Sequence, residues 1–283
     1  MPRSGDAIGR SGRVLTWLNL VCLDAPLVAI SWQWLFARAD GIAVTPSATA
    51  ALFLTAWLIY LGDRFGDSLS IAAGTPLSLR QRFCARHRVA WLLAILGIAL
   101  ADVLVIAQLD RGAIRSGLGV GAMALVYLTV NQRWPGLWRR LPLKEMSIGF
   151  LFAAGTRVGL AAGLTNVIWP AWLLFACLCV LNCVSIAVWE RALDLAQQRV
   201  SIATVFPRGE RYLLPMFAVL TLVSLSLAFS QSDARTVPLA VAMSTLLLAG
   251  VHLFRNRIEP DVRTALADLV LLTPLAFLGL GLF

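Results

Sequence analysis

The 283-residue sequence predicts an all-α integral membrane protein of nine transmembrane helices, and three observations lead there. Hydrophobic residues make up 59% of the chain and charged ones 14%. The mean hydropathy is +0.79. Ordinary soluble domains are roughly 45–50% apolar and about 25% charged, and a soluble chain of this size cannot hide so much apolar surface. Apolar runs of spanning length, about 20 residues, recur from one end of the chain to the other. Arginine collects in alternate connections between those runs, as the positive-inside rule requires.

The polar, basic segment 1–13 reads as a cytoplasmic tail, and 14–283 as a single membrane domain. The run that follows the tail is too long for a signal-peptide core and reads as the first span. Spans are expected at 14–36, 47–66, 89–109, 116–130, 144–164, 167–190, 212–230, 236–254 and 265–282. Glycine and proline punctuate the breaks, at Gly41 and Pro46, Gly74 and Pro76, Pro135 and Gly136, Pro207 and Gly209, and Pro260. With the N-terminus inside, 19 of the 24 basic residues fall in cytoplasmic segments and 4 outside, with Arg157 left within a span. That split supports both the helix count and the orientation. The C-terminus is then on the far side, and the cell's inner membrane is the expected location.

The net charge is +9, almost all of it arginine, with Lys144 the only lysine. In so apolar a chain this charge suits the anionic face of a membrane, with membrane lipid as partner and no nucleic acid. The cysteines show no CxxC pair and the two histidines stand apart, so small buried side chains explain the cysteines better than a metal or disulfide site. No Walker loop, GxGxxG, zinc spacing or GxSxG is present.

The charged ends of two spans carry the functional signal. The second ends in Asp63-Arg64-Phe65-Gly66-Asp67 and the sixth in Glu190-Arg191-Ala192-Leu193-Asp194. Carboxylates four residues apart share one helix face. Both pairs are expected at the cytoplasmic side. Crowded carboxylates in an apolar setting need a cation. Magnesium takes such oxygens while keeping waters and substrate phosphates, so Asp63, Asp67, Glu190 and Asp194 are candidate metal ligands and catalytic residues. A solvated helix end with weak ion pairs is the plain alternative for either motif alone.

These motifs and the order of spans resemble the UbiA-type prenyltransferase superfamily. Asp63-x-x-x-Asp67 matches the second half of that family's first aspartate-rich motif, with Ile59 and Tyr60 in place of its leading Asn and Asp. Glu190, Asp194, Ser201 and Ala203 fit its second motif, with Glu190 for the usual aspartate. Lys144 resembles the family's diphosphate lysine. The resemblance implies nine helices enclosing a central cavity and Mg2+ as cofactor. It also implies transfer of an isoprenoid chain from a prenyl diphosphate to a lipid-soluble or aromatic acceptor. Lys144 and Arg64 would then neutralise the phosphates.

Other residues leave alternatives open. Arg157, at membrane depth, either meets diphosphate oxygens or pairs with Asp24 or Asp102. Asn182 either lines the cavity or bonds a neighbouring helix. The basic loop with Arg80, Arg82, Arg86, His87 and Arg88 either faces anionic lipid or captures a diphosphate. The weakened first motif motivates a second function class, a non-catalytic lipid- or isoprenoid-binding or transport protein on the same scaffold. An unrelated carrier using Arg157 and Asp24 is a third.

Overall fold

The computed structural model describes residues 16–72, 74–141, 143–160, 168–230 and 235–280. All regular structure among them is helical. After a helical stretch at 16–20 come α1 (Asp24–Ala39), α2 (Pro46–Ser70), α3 (Leu79–Arg86), α4 (Arg88–Ile106) and α5 (Arg111–Arg133). Next are α6 (Leu137–Arg140), α7 (Lys144–Gly155), α8 (Ile168–Trp189), α9 (Arg191–Ala196) and α10 (Ile202–Val205). The chain finishes with α11 (Leu213–Ser230), α12 (Thr236–Leu253), α13 (Pro260–Leu269) and α14 (Pro274–Leu280).

Five helices among the described residues are long and apolar enough to cross a membrane. They are α4, α5, α8, α12, and α11 with the 3-10 turn before it, and they coincide with the third, fourth, sixth, eighth and seventh expected spans. The fourth is longer than its expected 116–130 because Asp110 caps α5 early, accepting from the N–H groups of Gly112 and Ala113. α4 and α5 keep large apolar side chains outward, Leu93, Leu100 and Leu104 on one and Leu118, Met123 and Leu125 on the other. In water that area would be a liability; in lipid it is the natural exterior.

The other expected spans are interrupted or charged. The first is broken at residues 21–22, where Cys22 takes a left-handed conformation (φ 58°). The indole of Trp57 donates to the freed Val21 carbonyl at 2.8 Å, which satisfies a group that lipid would leave bare. The second, α2, is 25 residues long but carries Asp63, Arg64 and Asp67. The fifth ends as a helix at Gly155 instead of running to 164, and Gly159 turns the chain at φ +84°; residues 161–167 lie outside the described residues. The ninth is split between α13 and α14 by a 3-10 turn and Pro274, a proline being unable to continue the ladder.

α8 is the axis of the fold, packed by α7, α11, α12 and α13. Its Phe175 stacks on Trp32 of α1 at 4.1 Å between ring centroids, and both are fully buried. α7 approaches closely through Gly149, where an added Cβ would lie 2.6 Å from the Val180 nitrogen. Small residues at such crossings let helix backbones meet. Several tryptophans tie elements together: Trp32, Trp91 and Trp172 donate to the carbonyls of Leu271, Leu61 and Ala153 on neighbouring elements.

Candidate functional site

The first acidic pair is placed by α2. Thr45 caps its start, accepting from Ala48 N–H at 3.2 Å, and Pro46 sits at the first helical position, where its missing N–H costs nothing. The helix then runs unbroken, so Asp63 and Asp67 lie one above the other near its far end. Gly66 keeps that face open: a Cβ there would fall 2.2 Å from Gln132 Nε2 of α5.

The second pair does not sit on one continuous helix. α8 ends at Trp189, Glu190 has φ −94° and ψ 5°, and Asp194 belongs to α9. The Asp194 N–H still donates to the Glu190 carbonyl at 2.9 Å, so the two side chains keep the expected common face across the break. α13 seals the break. The Arg263 guanidinium donates to the Trp189 carbonyl at 3.2 Å and lies over the Trp189 ring, and Thr264 donates to Glu190 Oε1 at 3.2 Å. A cation at a helix C-terminus is favourable.

Arginines bridge the pairs. Arg199 Nη2 lies 2.6 Å from Asp67 Oδ1. It is delivered there by a tight turn after α9, in which Gln198 adopts a left-handed φ of 55° and the Arg199 N–H donates to the Asp194 carbonyl. Arg80 donates to both oxygens of Glu190, at 2.7 and 2.5 Å. It comes from α3, a short helix inside the expected basic loop, with Ser78 and Gln81 forming a capping box at its start. Gln81 and Gln197 hold α3 against the segment after α9, with contacts of 3.1 and 2.9 Å.

Lys144 opens α7. Lys144 and Arg199 both favour the ionised forms of Asp63 and Asp194 electrostatically, and the Arg199 ion pair to Asp67 links the two segments directly. Burial pushes the Asp194 carboxyl above the usual aspartate range, and Glu190 adds to this. The Ser201 hydroxyl, Lys144 and Arg199 oppose the rise. Arg64 is under the field of Asp24, Asp67 and Asp63. A groove of about 470 Å³ opens beside Arg199, lined also by Arg139, Gln198 and Thr204.

Among the described residues no cluster of three or more His, Cys, Asp or Glu side chains forms a ready metal cage. Magnesium does not need one, since it is commonly held by one or two carboxylates plus substrate phosphates. Asp63 Oδ1 is buried and has no hydrogen-bond partner, and Asp194 is in no ion pair among the described residues. Those two carboxylates suit the ion directly; Asp67 and Glu190 already face arginines.

Two expected site residues lie elsewhere. Arg157 Nη1 pairs with Asp40 Oδ2 at 2.7 Å, and its guanidinium lies over the Phe36 ring. Asp40 follows the end of α1, beside the start of α2. Asp63 lies 17 residues further along α2 than Pro46, roughly 25 Å at the helical rise. Arg157 is thus bound at the opposite end of the bundle from the acidic pairs, and its partner is neither Asp24 nor Asp102. Asn182 does both things open to it: it donates to Asp268 Oδ1 at 3.0 Å and lines a small cavity.

Arg199 and Glu145 were not singled out as site members by the sequence, and Arg80 was named only as one of the basic loop. Glu145 is buried behind Lys144, where its Oε1 accepts the Ile202 N–H at 2.9 Å. Arg80 sat within a basic run that offered no means of choosing among its members.

No protein-family model matches the chain, and no curated protein matches it. Solved structures do. A UbiA homologue from Archaeoglobus fulgidus bound to DMAPP and Mg2+ is similar, with a TM-score of 0.58 and 13% identity over 94% of this chain and 98% of that one. A structure of a UbiA homologue from the same organism bound to GPP and Mg2+ gives 0.59 and 14%, over 94% and 99%. This likeness is one of fold and spans nearly the whole of both chains. The chain shares the overall fold of these UbiA homologues.

Proposed function

We propose that the protein is a divergent UbiA-type enzyme that binds a prenyl diphosphate with Mg2+ and transfers the prenyl chain to an acceptor. The observation that supports this reading is Arg199, whose N–H donates to the Asp194 carbonyl and whose guanidinium pairs with Asp67, in a chain with a UbiA-like fold. Asp63 and Asp194 would hold the metal. Mg2+ when bound supplies Lewis-acid stabilisation of the departing diphosphate.

The chain's own residues do the rest. Lys144, Arg64, Arg80 and Arg199 neutralise phosphate oxygens, for which the planar arginine fork is suited. Arg80 and Arg199 would exchange Glu190 and Asp67 for phosphate, which leaves those carboxylates free to join the metal. Apolar side chains of α2, α7 and α8 exclude water from the reacting carbon. The N-terminus would lie in the cytoplasm with the acidic ends of α2 and α8 on that face, and the protein would reside in the inner membrane.

Incubation of purified protein with Mg2+, labelled geranyl diphosphate and a panel of aromatic and lipid-soluble acceptors tests this. Labelled, chain-extended product is expected from the wild type and none from Asp63→Asn or Asp194→Asn. Binding without product across the whole panel would support the second reading, a non-catalytic isoprenoid-diphosphate binder. That reading is favoured by Ile59 and Tyr60 in the first motif and by the ion pairs that engage Asp67 and Glu190.

A further inference from the structure

The connection from α5 to α7 is both apolar and basic. α5 ends at Arg133, and the chain then reads Trp134-Pro135-Gly136-Leu137-Trp138-Arg139-Arg140-Leu141-Pro142-Leu143. Trp138 is buried against Tyr127 of α5, with ring centroids 5.9 Å apart, and pins the short α6 to the bundle. Trp134, Leu137, Leu141 and Leu143 stay exposed, interleaved with exposed Arg133, Arg139 and Arg140. No Asp or Glu interrupts this stretch. Large apolar side chains exposed beside arginines, at the end of a helix of spanning length, belong in the membrane interface.

The segment after α9 forms a second wall. The groove of about 470 Å³ opens between the two, with Arg139 on one side and Leu195, Gln198, Arg199 and Val205 on the other. No acidic residue lines it, so it is separate from the site built by Asp63, Asp67, Glu190 and Asp194. At its edge Leu195 is 54% exposed, and Phe206, next after Val205, is exposed as well.

These walls select their occupant. Arg139 is in no ion pair among the described residues, and Arg199 commits Nη2 to Asp67, which leaves its other N–H donors outside that pair. Guanidinium forks suit phosphate oxygens. Leu195, Val200 and Val205 would gain nothing from a small inorganic anion, whereas an acyl chain covers them. A headgroup that carries its own ammonium would meet two arginines and no carboxylate. A phosphate of net negative charge joined to acyl chains meets every one of these conditions, and the leaflet at this face supplies it.

We infer that the groove binds the headgroup phosphate of an anionic phospholipid, with Arg139 and Arg199 on the phosphate oxygens and the upper acyl chain against Leu195 and Val205. Arg199 ties the bound lipid to the first acidic motif through its pair with Asp67. Lipid binding here does not depend on the prenyl-transfer reading.

The test uses the full chain in detergent, titrated with phosphatidylglycerol or phosphatidylcholine and read by native mass spectrometry. The wild type is expected to hold phosphatidylglycerol about tenfold more tightly than phosphatidylcholine, the worth of one charge-assisted hydrogen bond. Arg139→Gln should remove most of that preference. Arg82, exposed on α3, carries an equal charge outside the groove, and Arg82→Gln should change the preference by less than about twofold, well under the roughly fivefold that a diffuse attraction of about 1 kcal/mol per arginine would cost. Excess glycerol 3-phosphate should not displace the lipid. Equal losses from Arg82→Gln and Arg139→Gln would reduce the effect to diffuse surface charge and overturn the inference. No preference in the wild type would overturn it too, and so would displacement by glycerol 3-phosphate, which would make the groove a site for free phosphate. Geranyl diphosphate binding with Mg2+, measured on the same samples, should be unchanged in Arg139→Gln; a loss there would return the groove to the proposed prenyl diphosphate site and sink the separate lipid site.

Discussion

Arg157 offers a sharp test of how the bundle is held. Its guanidinium and the Asp40 carboxylate are 10% and 2% exposed and 2.7 Å apart. The pair as a whole contributes little, because desolvating both charges cancels most of their attraction. Removing one partner is different. Arg157→Met leaves Asp40 buried with a charge and no cation, and Asp40 Oδ1 already lacks a partner. Breaking a buried pair in this way costs about 3–5 kcal/mol. At roughly 2–4 °C per kcal/mol for a chain somewhat smaller than this one, the melting temperature in detergent should fall by about 10 °C. The double variant Arg157→Met/Asp40→Asn removes both charges and should recover most of that loss. Geranyl diphosphate affinity, measured well below the melting temperature, should be unchanged in both. A variant that keeps its stability but loses diphosphate binding would refute the placement of Arg157 at the far end of the bundle.

Further outcomes are expected. Gly149→Leu should destabilise by about 3 kcal/mol or more, since even its Cβ would meet the Val180 backbone at 2.6 Å; a thermal shift of the purified variant reads this. Arg199→Ala should weaken geranyl diphosphate by about tenfold, the worth of one charge-assisted hydrogen bond, and isothermal titration calorimetry measures it. The raised Asp194 carboxyl should make Mg2+-dependent binding fall off on acidification at a higher pH than an ordinary aspartate would, and Asp194→Asn should remove that limb of the profile. The same shift has a sign in stability. The folded state binds this proton more tightly than the unfolded chain, so at neutral pH Asp194 destabilises, and the penalty is relieved as pH falls through its raised value.

The fold was legible because hydropathy and arginine alternation report the solvent of each segment directly. The local geometry of each acidic pair was legible because its spacing is short, and a four-residue interval survives even the break at Glu190. What decided the rest was long-range. Arg80 and Arg199 reach Glu190 and Asp67 only because a short capped helix and a left-handed residue at Gln198 turn their segments inward. Arg157 found Asp40, a residue that falls between expected spans, where a hydropathy reading offers no partner. The interruption near Cys22 was hidden for a similar reason: the backbone groups it frees are satisfied by Trp57 from another helix, and apolarity along the sequence does not register that contact.

The central claim is that the two acidic motifs form one magnesium–diphosphate site. Calorimetric titration of geranyl diphosphate into the protein, with Mg2+ and with EDTA, tests it most directly on wild type, Asp63→Asn and Asp194→Asn. Binding is expected only with Mg2+, and each substitution should weaken it by about 100-fold, as for the loss of one ligand or its close support. Binding that is indifferent to EDTA, or that survives both substitutions, would contradict the account.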